Sequence, residues 1–221
     1  MGDPVDAPFD LSVTDRLLST TRAVRRRLDL SRPVEREVVL DCIRLSQQAP
    51  TGSNSQGWRW LVVEDADKRS ALARLYEKGA SVYLAQAREQ LSDEDRQTRR
   101  VYESALWLVQ HLAEVPLHVI PCIDARLPEG ASNFAAASLY GSIFPAVWSF
   151  QLALRSRGLG STLTTLHLFR EREAAALLGI PDGVSQVALL PVAYTRGTDF
   201  APASRPPPRE ITFWNGWGRD R

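Results

Sequence analysis

From Gly130 to Leu154 the chain carries no Asp, Glu, Lys or Arg, and this uncharged run limits the fold more than any other feature. At 1.5 Å per residue it is long enough to cross a bilayer as a helix. Ser132, Asn133, Ser138, Ser142, Ser149 and Gln151 would enter hydrocarbon at a cost, however, and Gly141 and Pro145 interrupt the run. The spacing predicts one long helix, Ala131 to Arg157, stopped by Gly158 and buried on most sides, either in the core or against another subunit.

Such a helix needs a body around it. The 221 residues are 44% hydrophobic and 24% charged, which suits one globular domain able to bury about 70% of its unfolded surface. Disorder, collagen-like repeats and a disulfide-stapled scaffold are excluded. With 27 basic against 26 acidic residues, the chain has no overall field to draw it onto nucleic acid or a membrane surface. Cys42 and Cys122 each sit in an apolar run with no partner at metal spacing and read as buried free thiols of a reducing compartment. Asp3, Asp6, Asp10 and Asp15 argue against a secretory leader, so the expected location is cytoplasmic.

Along the chain, Val13 to Leu28 reads as a short Arg-rich helix. Ser31-Arg32-Pro33 opens a second, with Val34, Val38, Val39, Cys42 and Leu45 in helical period, stopping before Pro50. Trp58 to Val63 alternates as a strand, and Asp65 can cap the helix after it. Residues 66 to about 113 read as two helices broken near Leu91-Ser92-Asp93, with Ser92 and Asp95 as a capping box. Pro116 to Ile123 is a strand, and Ser161 to Leu166 is a strand or an extended turn. Glu171 to Leu178 is a helix ended by Gly179, and Val184 to Tyr194 is the strongest strand. Pro202, Pro206, Pro207 and Pro208 enforce an extended tail carrying Ile211, Phe213, Trp214 and Trp217. Four large apolar groups call for an anchor, either the chain's own body or a neighbouring subunit, and the prevalence of two-fold dimers favours the neighbour. Helices and strands mix without βαβ alternation, so the class is α+β.

Common catalytic motifs are missing from the sequence: G-x-x-x-x-G-K-[ST], H-E-x-x-H, G-x-S-x-G and C-x-x-C do not occur. Gly158-Leu159-Gly160 lacks the third glycine of a dinucleotide fingerprint, where Leu163 stands. His111, His118 and His167 are scattered, which suits satisfied core residues better than metal ligands. Three segments remain. Arg22 and Arg25 fall three apart, on one face of the expected helix, either as a solvated charged face or as an anion site. Residues 49–58 form a small polar stretch, a tight turn or a reader of a heterocycle edge through Asn54 and Gln56. Residues 158–166 offer a similar supply of backbone amides.

Taken in order, Arg-Ala-x-Arg at 22–25, A-P-T-G-S-N-S-Q-G-W at 49–58, G-S-I-F-P-A-V at 141–147, G-L-G-S at 158–161 and Arg205-Pro206 after a strand resemble the FMN-dependent nitroreductase family. The resemblance covers residues 20 to about 215. It implies a single domain over 1–221, with a core of about 13–200 and a tail of about 201–221 on the partner. The fold implied is a mostly antiparallel sheet flanked by helices in an intertwined homodimer with two FMN sites. It further implies that Arg22, Ala23 and Arg25 hold the FMN phosphate and the polar edge of the ring, joined by Arg205. Pro50, Thr51, Gly52, Ser53, Asn54 and Gln56 would reach the flavin from the other subunit, and Leu163, Thr164 and Thr165 would lie against the ring, a backbone amide near Thr165 donating to N5. The implied chemistry is ping-pong reduction of nitroaromatic, quinone or related small molecules by NADH or NADPH, with no catalytic side chain and no metal. Flavin sequestration without turnover, and a related dehydrogenase or dehalogenase, are the alternatives. Ala23, Gly57 and Trp148-Ser149 depart from the family pattern of serine, proline and Gln-Asn, and Trp148 reads as a core or interface residue or as a wall of the acceptor pocket.

Overall fold

A computed structural model describes residues 8–89 and 96–218. They separate into two units, residues 22–198 and the two chain ends, and each is described by itself.

In the central unit, apolar and β-branched runs build a five-stranded antiparallel sheet. Its strands are β1 (Trp58–Val63), β2 (Leu117–Ile123), β3 (Leu159–Ser161), β4 (Ser185–Gln186) and β5 (Leu190–Tyr194). The order is β1-β2-β5-β3, with β4 also on β2. β2 is buried along its whole length, as a central strand must be. The expected single strand from Val184 to Tyr194 is broken. Cys122 faces Gln186 and Val119 faces Leu190, so the register shifts by one residue opposite Ile120 and Pro121. Proline has no N–H for the ladder, and the Val187 amide instead donates to the Pro121 carbonyl at 3.0 Å across this bulge.

Helices α2 (Arg36–Ser46) and α6 (Phe144–Ser156) cover one face of the sheet. Cys42, Ile143, Val147, Phe150 and Leu154 pack there with Val119, Leu190 and Val192. Burying a side chain such as Phe150 contributes about 2 to 3 kcal/mol. Helices α3 (Ala66–Glu89) and α4 (Arg96–His111) come after β1, and Asp65 caps α3 by accepting from the Lys68 amide at 2.9 Å. The break expected at 91–93, with Ser92 and Asp95, lies outside the described residues. Helix α3 packs on a 3-10 segment at Leu166–Arg170. Helix α7 (Glu171–Leu178) ends at Gly179 in the left-handed conformation, as its sequence predicts.

The uncharged run is two helices and not one: α5 (Asn133–Gly141) and then α6. Pro145 sits in the first turn of α6 and could not continue the preceding helix. The Ser142 hydroxyl bonds back to the Ser138 carbonyl at 2.7 Å, and the chain turns at Ser142-Ile143. Helix α6 buries Ala146, Val147, Phe150, Gln151, Ala153 and Leu154, whereas α5 has no buried residue, so the expectation of a run buried on most sides holds for one face of α6 only. Helix α2 begins at Arg36, three residues beyond Pro33.

In the terminal unit, helix α1 (Leu11–Thr20) is capped by Asp10, which accepts from the Ser12 amide at 2.9 Å. The tail contains one short helix, α8 (Pro208–Ile211), and a Phe213–Trp217 ring contact at 4.7 Å. Ile211, Trp214 and Trp217 are exposed, Trp217 to 91%. No helix among the described residues is long and apolar enough to cross a membrane.

Candidate functional site

Arg22 and Arg25 do not lie on a helix. The Thr20 and Thr21 hydroxyls bond back to the Arg16 and Leu17 carbonyls, both at 2.6 Å, and α1 stops there. The chain then runs extended beside β3. Ala23 bridges Ser161 in parallel, and the Val24 amide donates to the Ser161 carbonyl at 2.9 Å. Gly160 makes this approach possible, since a Cβ there would sit 2.6 Å from Thr195 Cγ2 and 2.9 Å from Val24 Cβ. Long-range strand pairing has overridden the local helical pattern.

Pairing with β3 fixes Arg25 in a half-buried place. Its Nη1 donates to Ser104 Oγ of α4 at 3.2 Å. Burial weakens its hold on the proton, and the nearby Tyr76 phenol partly restores it. No carboxylate pairs with Arg25 among the described residues. A half-buried guanidinium whose partners among the described residues are the neutral Ser104 and Tyr76 carries positive charge that an anion would balance.

The 163–165 segment lies beside it. Thr164 exchanges backbone hydrogen bonds with Leu189, donating at 3.1 Å and accepting at 2.8 Å. Its Oγ1 is 3.1 Å from the hydroxyl of Tyr76, and Tyr76 faces Arg25 electrostatically. Leu163 and Thr165 are exposed, and the Thr165 amide has no acceptor among the described residues. Arg25, Tyr76 and Thr164 thus form one cluster, with Ala23 on the adjoining strand.

Residues 50–57 form a different structure. Ser53, Asn54 and Gln56 adopt φ of 52°, 52° and 49°, the left-handed region that side-chain-bearing residues avoid. The Ser142 hydroxyl at the α5–α6 turn accepts from the Gly52 amide at 2.9 Å, and its carbonyl accepts from Trp58 Nε1 at 3.0 Å. Gln56 Nε2 donates to Asn54 Oδ1 at 3.0 Å, and the Gln56 amide donates to Thr51 Oγ1 at 3.2 Å. Pro50, Gly52, Ser53, Asn54 and Gln56 are exposed and Thr51 is half-buried. This segment enters β1, at the opposite edge of the sheet from β3, three strand spacings or roughly 14 Å away. The central unit therefore gathers Ala23, Arg25, Thr164 and Thr165 near one edge and 50–56 at the other. Arg205 lies in the terminal unit, exposed, donating to the Ser204 carbonyl at 2.9 Å.

Cys42 and Cys122 are buried free thiols, pushed up by burial to about 11 and about 12. His111 donates from Nδ1 to the Trp107 carbonyl at 2.8 Å, and His118 donates from Nε2 to the Leu112 carbonyl at 2.8 Å. His167 departs from the expected satisfied core residue: it is buried with both ring nitrogens unpartnered among the described residues. No three His, Cys, Asp or Glu side chains cluster as metal ligands among the described residues. Trp148 is 44% exposed, so it is not a core residue of the single chain. Tyr76 and Ser104 carry no signal in the sequence, because an isolated Tyr or Ser on a helix does not announce the partner it will meet, and Ser142 stands out there only as a polar residue of the uncharged run. Gly79 and Gly160 did carry one, as glycines inside an expected helix and beside an expected strand.

An iodotyrosine deiodinase from Thermotoga neapolitana is 28% identical over 180 residues, 80% of this chain and 86% of that protein. Among solved structures, an oxidised iodotyrosine deiodinase bound to FMN and 3-iodo-L-tyrosine aligns with a TM-score of 0.69 at 24% identity, covering 92% of this chain and 99% of the other. The FMN-dependent nitroreductase NfnB from Mycobacterium smegmatis in complex with NADPH aligns with a TM-score of 0.66 at 18% identity, over 94% and 100%. The likeness to these structures shows the α+β nitroreductase fold. The sequence profile of the nitroreductase family matches residues 18–194. With most of its length matched in this way, the chain belongs to the nitroreductase family.

Proposed function

We propose that the chain is an FMN-dependent oxidoreductase, using NADH or NADPH to reduce nitroaromatic, quinone or related electron-poor small molecules, with each site built from two copies of the chain. The observation that carries this reading is Arg25, half-buried beside Ser104 and Tyr76 with no carboxylate to balance it among the described residues. Such a cation fits the polar edge of a flavin ring, which becomes more negative on reduction. Arg22 and Arg205 would hold the phosphate, and Ala23 would line the same edge. Leu163, Thr164 and Thr165 would lie along the ring, and the unused Thr165 amide would donate to N5. Pro50, Thr51, Gly52, Ser53, Asn54 and Gln56 would come from the second copy. Held by these residues, FMN would supply the hydride- and electron-transfer chemistry of the reaction.

Two features support the homodimer. The candidate residues lie at opposite edges of the sheet, and the terminal unit exposes Ile211, Trp214 and Trp217. In this reading residues 1–221 are a single nitroreductase-like domain whose tail of about 201–221 packs on the partner, and the reduced thiols suit the cytoplasm. A second reading, reductive dehalogenation of a halogenated phenol, is favoured by the similarity to the Thermotoga deiodinase.

The test is an absorption spectrum of the purified, FMN-reconstituted protein, followed by anaerobic NADH and then NADPH. Bleaching of flavin bands and turnover with nitroaromatics or quinones is the expected result. Persisting bands with either donor, followed by dithionite-driven deiodination of 3-iodotyrosine, would favour the second reading. No bands after reconstitution would overturn both.

A further inference from the structure

Helix α3 is seated on the 166–170 segment at unusually close range. Gly79 allows it: a Cβ there would meet the Leu166 carbonyl oxygen at 2.1 Å, so backbone touches backbone. Tyr76 lies three residues earlier on the same helix face and is carried to Thr164 by this docking. Its ring is buried, only 2% exposed, and a buried phenol needs a hydrogen-bond partner. Thr164 Oγ1, at 3.1 Å, is the partner it has among the described residues.

The chemistry of the two hydroxyls sets the direction of that bond. Either oxygen could supply the hydrogen on geometry alone. A phenol, however, is the more acidic hydroxyl and so the stronger donor, and an aliphatic hydroxyl is the stronger acceptor; the positive charge of Arg25 acts in the same sense, favouring proton release from the phenol. The hydrogen therefore turns toward Thr164 Oγ1, which accepts. Thr164 then has one hydrogen left to give. Its backbone amide and carbonyl are both taken up by Leu189, its hydroxyl has no acceptor among the described residues, and the residue is partly exposed. We propose that Tyr76 is a positioning residue that fixes the Thr164 hydroxyl as a hydrogen donor toward the bound flavin, favouring its reduced form.

The inference rests on the FMN reading and extends it to two residues acting as a unit. A fixed donor stabilises an anionic ligand more than a neutral one, because hydrogen bonds to charged groups are the stronger class. A purely structural Tyr76 would fill space under Thr164 and leave that preference untouched.

The experiment compares wild type, Tyr76→Phe, Thr164→Val and the double variant, measuring anaerobic dissociation constants for oxidised FMN and for dithionite-reduced FMN. Each single variant is expected to bind reduced FMN about tenfold more weakly, and oxidised FMN less than about threefold more weakly. The double variant is expected to be no weaker than either single one, since both remove the same bond. Equal loss of both redox forms, or additive losses in the double variant, would overturn the proposal. If Tyr76→Phe does not fold, Thr164→Val carries the test, because Thr164 is partly exposed and its exchange preserves shape. Wild type that binds neither form would sink the FMN reading itself, whereas wild type that binds both with unshifted variants would sink only the roles given to Tyr76 and the Thr164 hydroxyl.

Discussion

At the β3 edge, residues 22–25 and 162–165 are held by strand-like pairing, Ala23 on Ser161 and Thr164 on Leu189, with glycines at 79 and 160 admitting close neighbours. At the β1 edge, residues 50–57 are held by left-handed backbone at Ser53, Asn54 and Gln56 and by the Ser142 hydroxyl. One region places a cation with no counter-charge among the described residues, and the other places the exposed side-chain amides of Asn54 and Gln56 on a strained loop. The two edges are held by different means, long-range pairing at one and left-handed local backbone at the other, and neither alone presents both the charge and the polar groups that a flavin would meet.

Acid should break the comparison first. His118 and His167 are held neutral by burial, their pKa pushed down to about 4, against about 6.5 in an unfolded chain. Between those values the unfolded chain binds more protons, so stability present at pH 7 is lost as pH falls from about 6.5 to 4. The loss is on the order of 3 kcal/mol for each ring. Urea denaturation at pH 7 and pH 5 should show it, and His167→Leu should flatten the slope. Amide protection, taken relative to the intrinsic exchange rate at each pH, should fall at 162–170 before it falls at 50–57 as the pH is lowered, since His167 directly adjoins the β3-edge residues in the chain. Equal midpoints at the two pH values would mean the rings are solvated.

Arg25→Ala should weaken FMN binding by about ten- to a hundredfold, the worth of hydrogen bonds to a charged group, as measured by quenching of FMN fluorescence. Unchanged affinity would remove the β3 edge from the site. The smallest effect should come at the other edge. Gln56→Gly relieves a positive φ and should raise unfolding stability by about 1 kcal/mol, seen as a higher Tm, while FMN binds more weakly. Stability gained with affinity unchanged would show that the strain serves folding alone.

Much of this was legible locally. Helix α7 and its Gly179 stop, the strands at 58–63 and 117–123 and the buried thiols are set by periodicity, turn chemistry and burial preference. The Arg22–Arg25 spacing was legible as a pair of cations, but its backbone was not. The helical pattern continues through Leu28, and only pairing with Ser161, 138 residues away, shows why the chain runs extended there. The uncharged run was legible as helix, but not that its first half, α5, has no buried residue in the single chain, and the weight of Pro145 and Ser142 in dividing it emerges only when Ser142 is seen holding Gly52 and Trp58.

The sequence by itself determined the α+β class, the family and which segments carry polar chemistry, because these depend on residue type, spacing and local propensity. It took the folded chain to show that Arg25 is half-buried with no carboxylate paired to it among the described residues, that Tyr76 meets Thr164, that a one-residue bulge sits opposite Pro121, and that the candidate segments divide between two sheet edges. The physical reason is that charge compensation, hydrogen-bond direction and strand register depend on groups far apart in the chain, whose partners exist only after the sheet has formed.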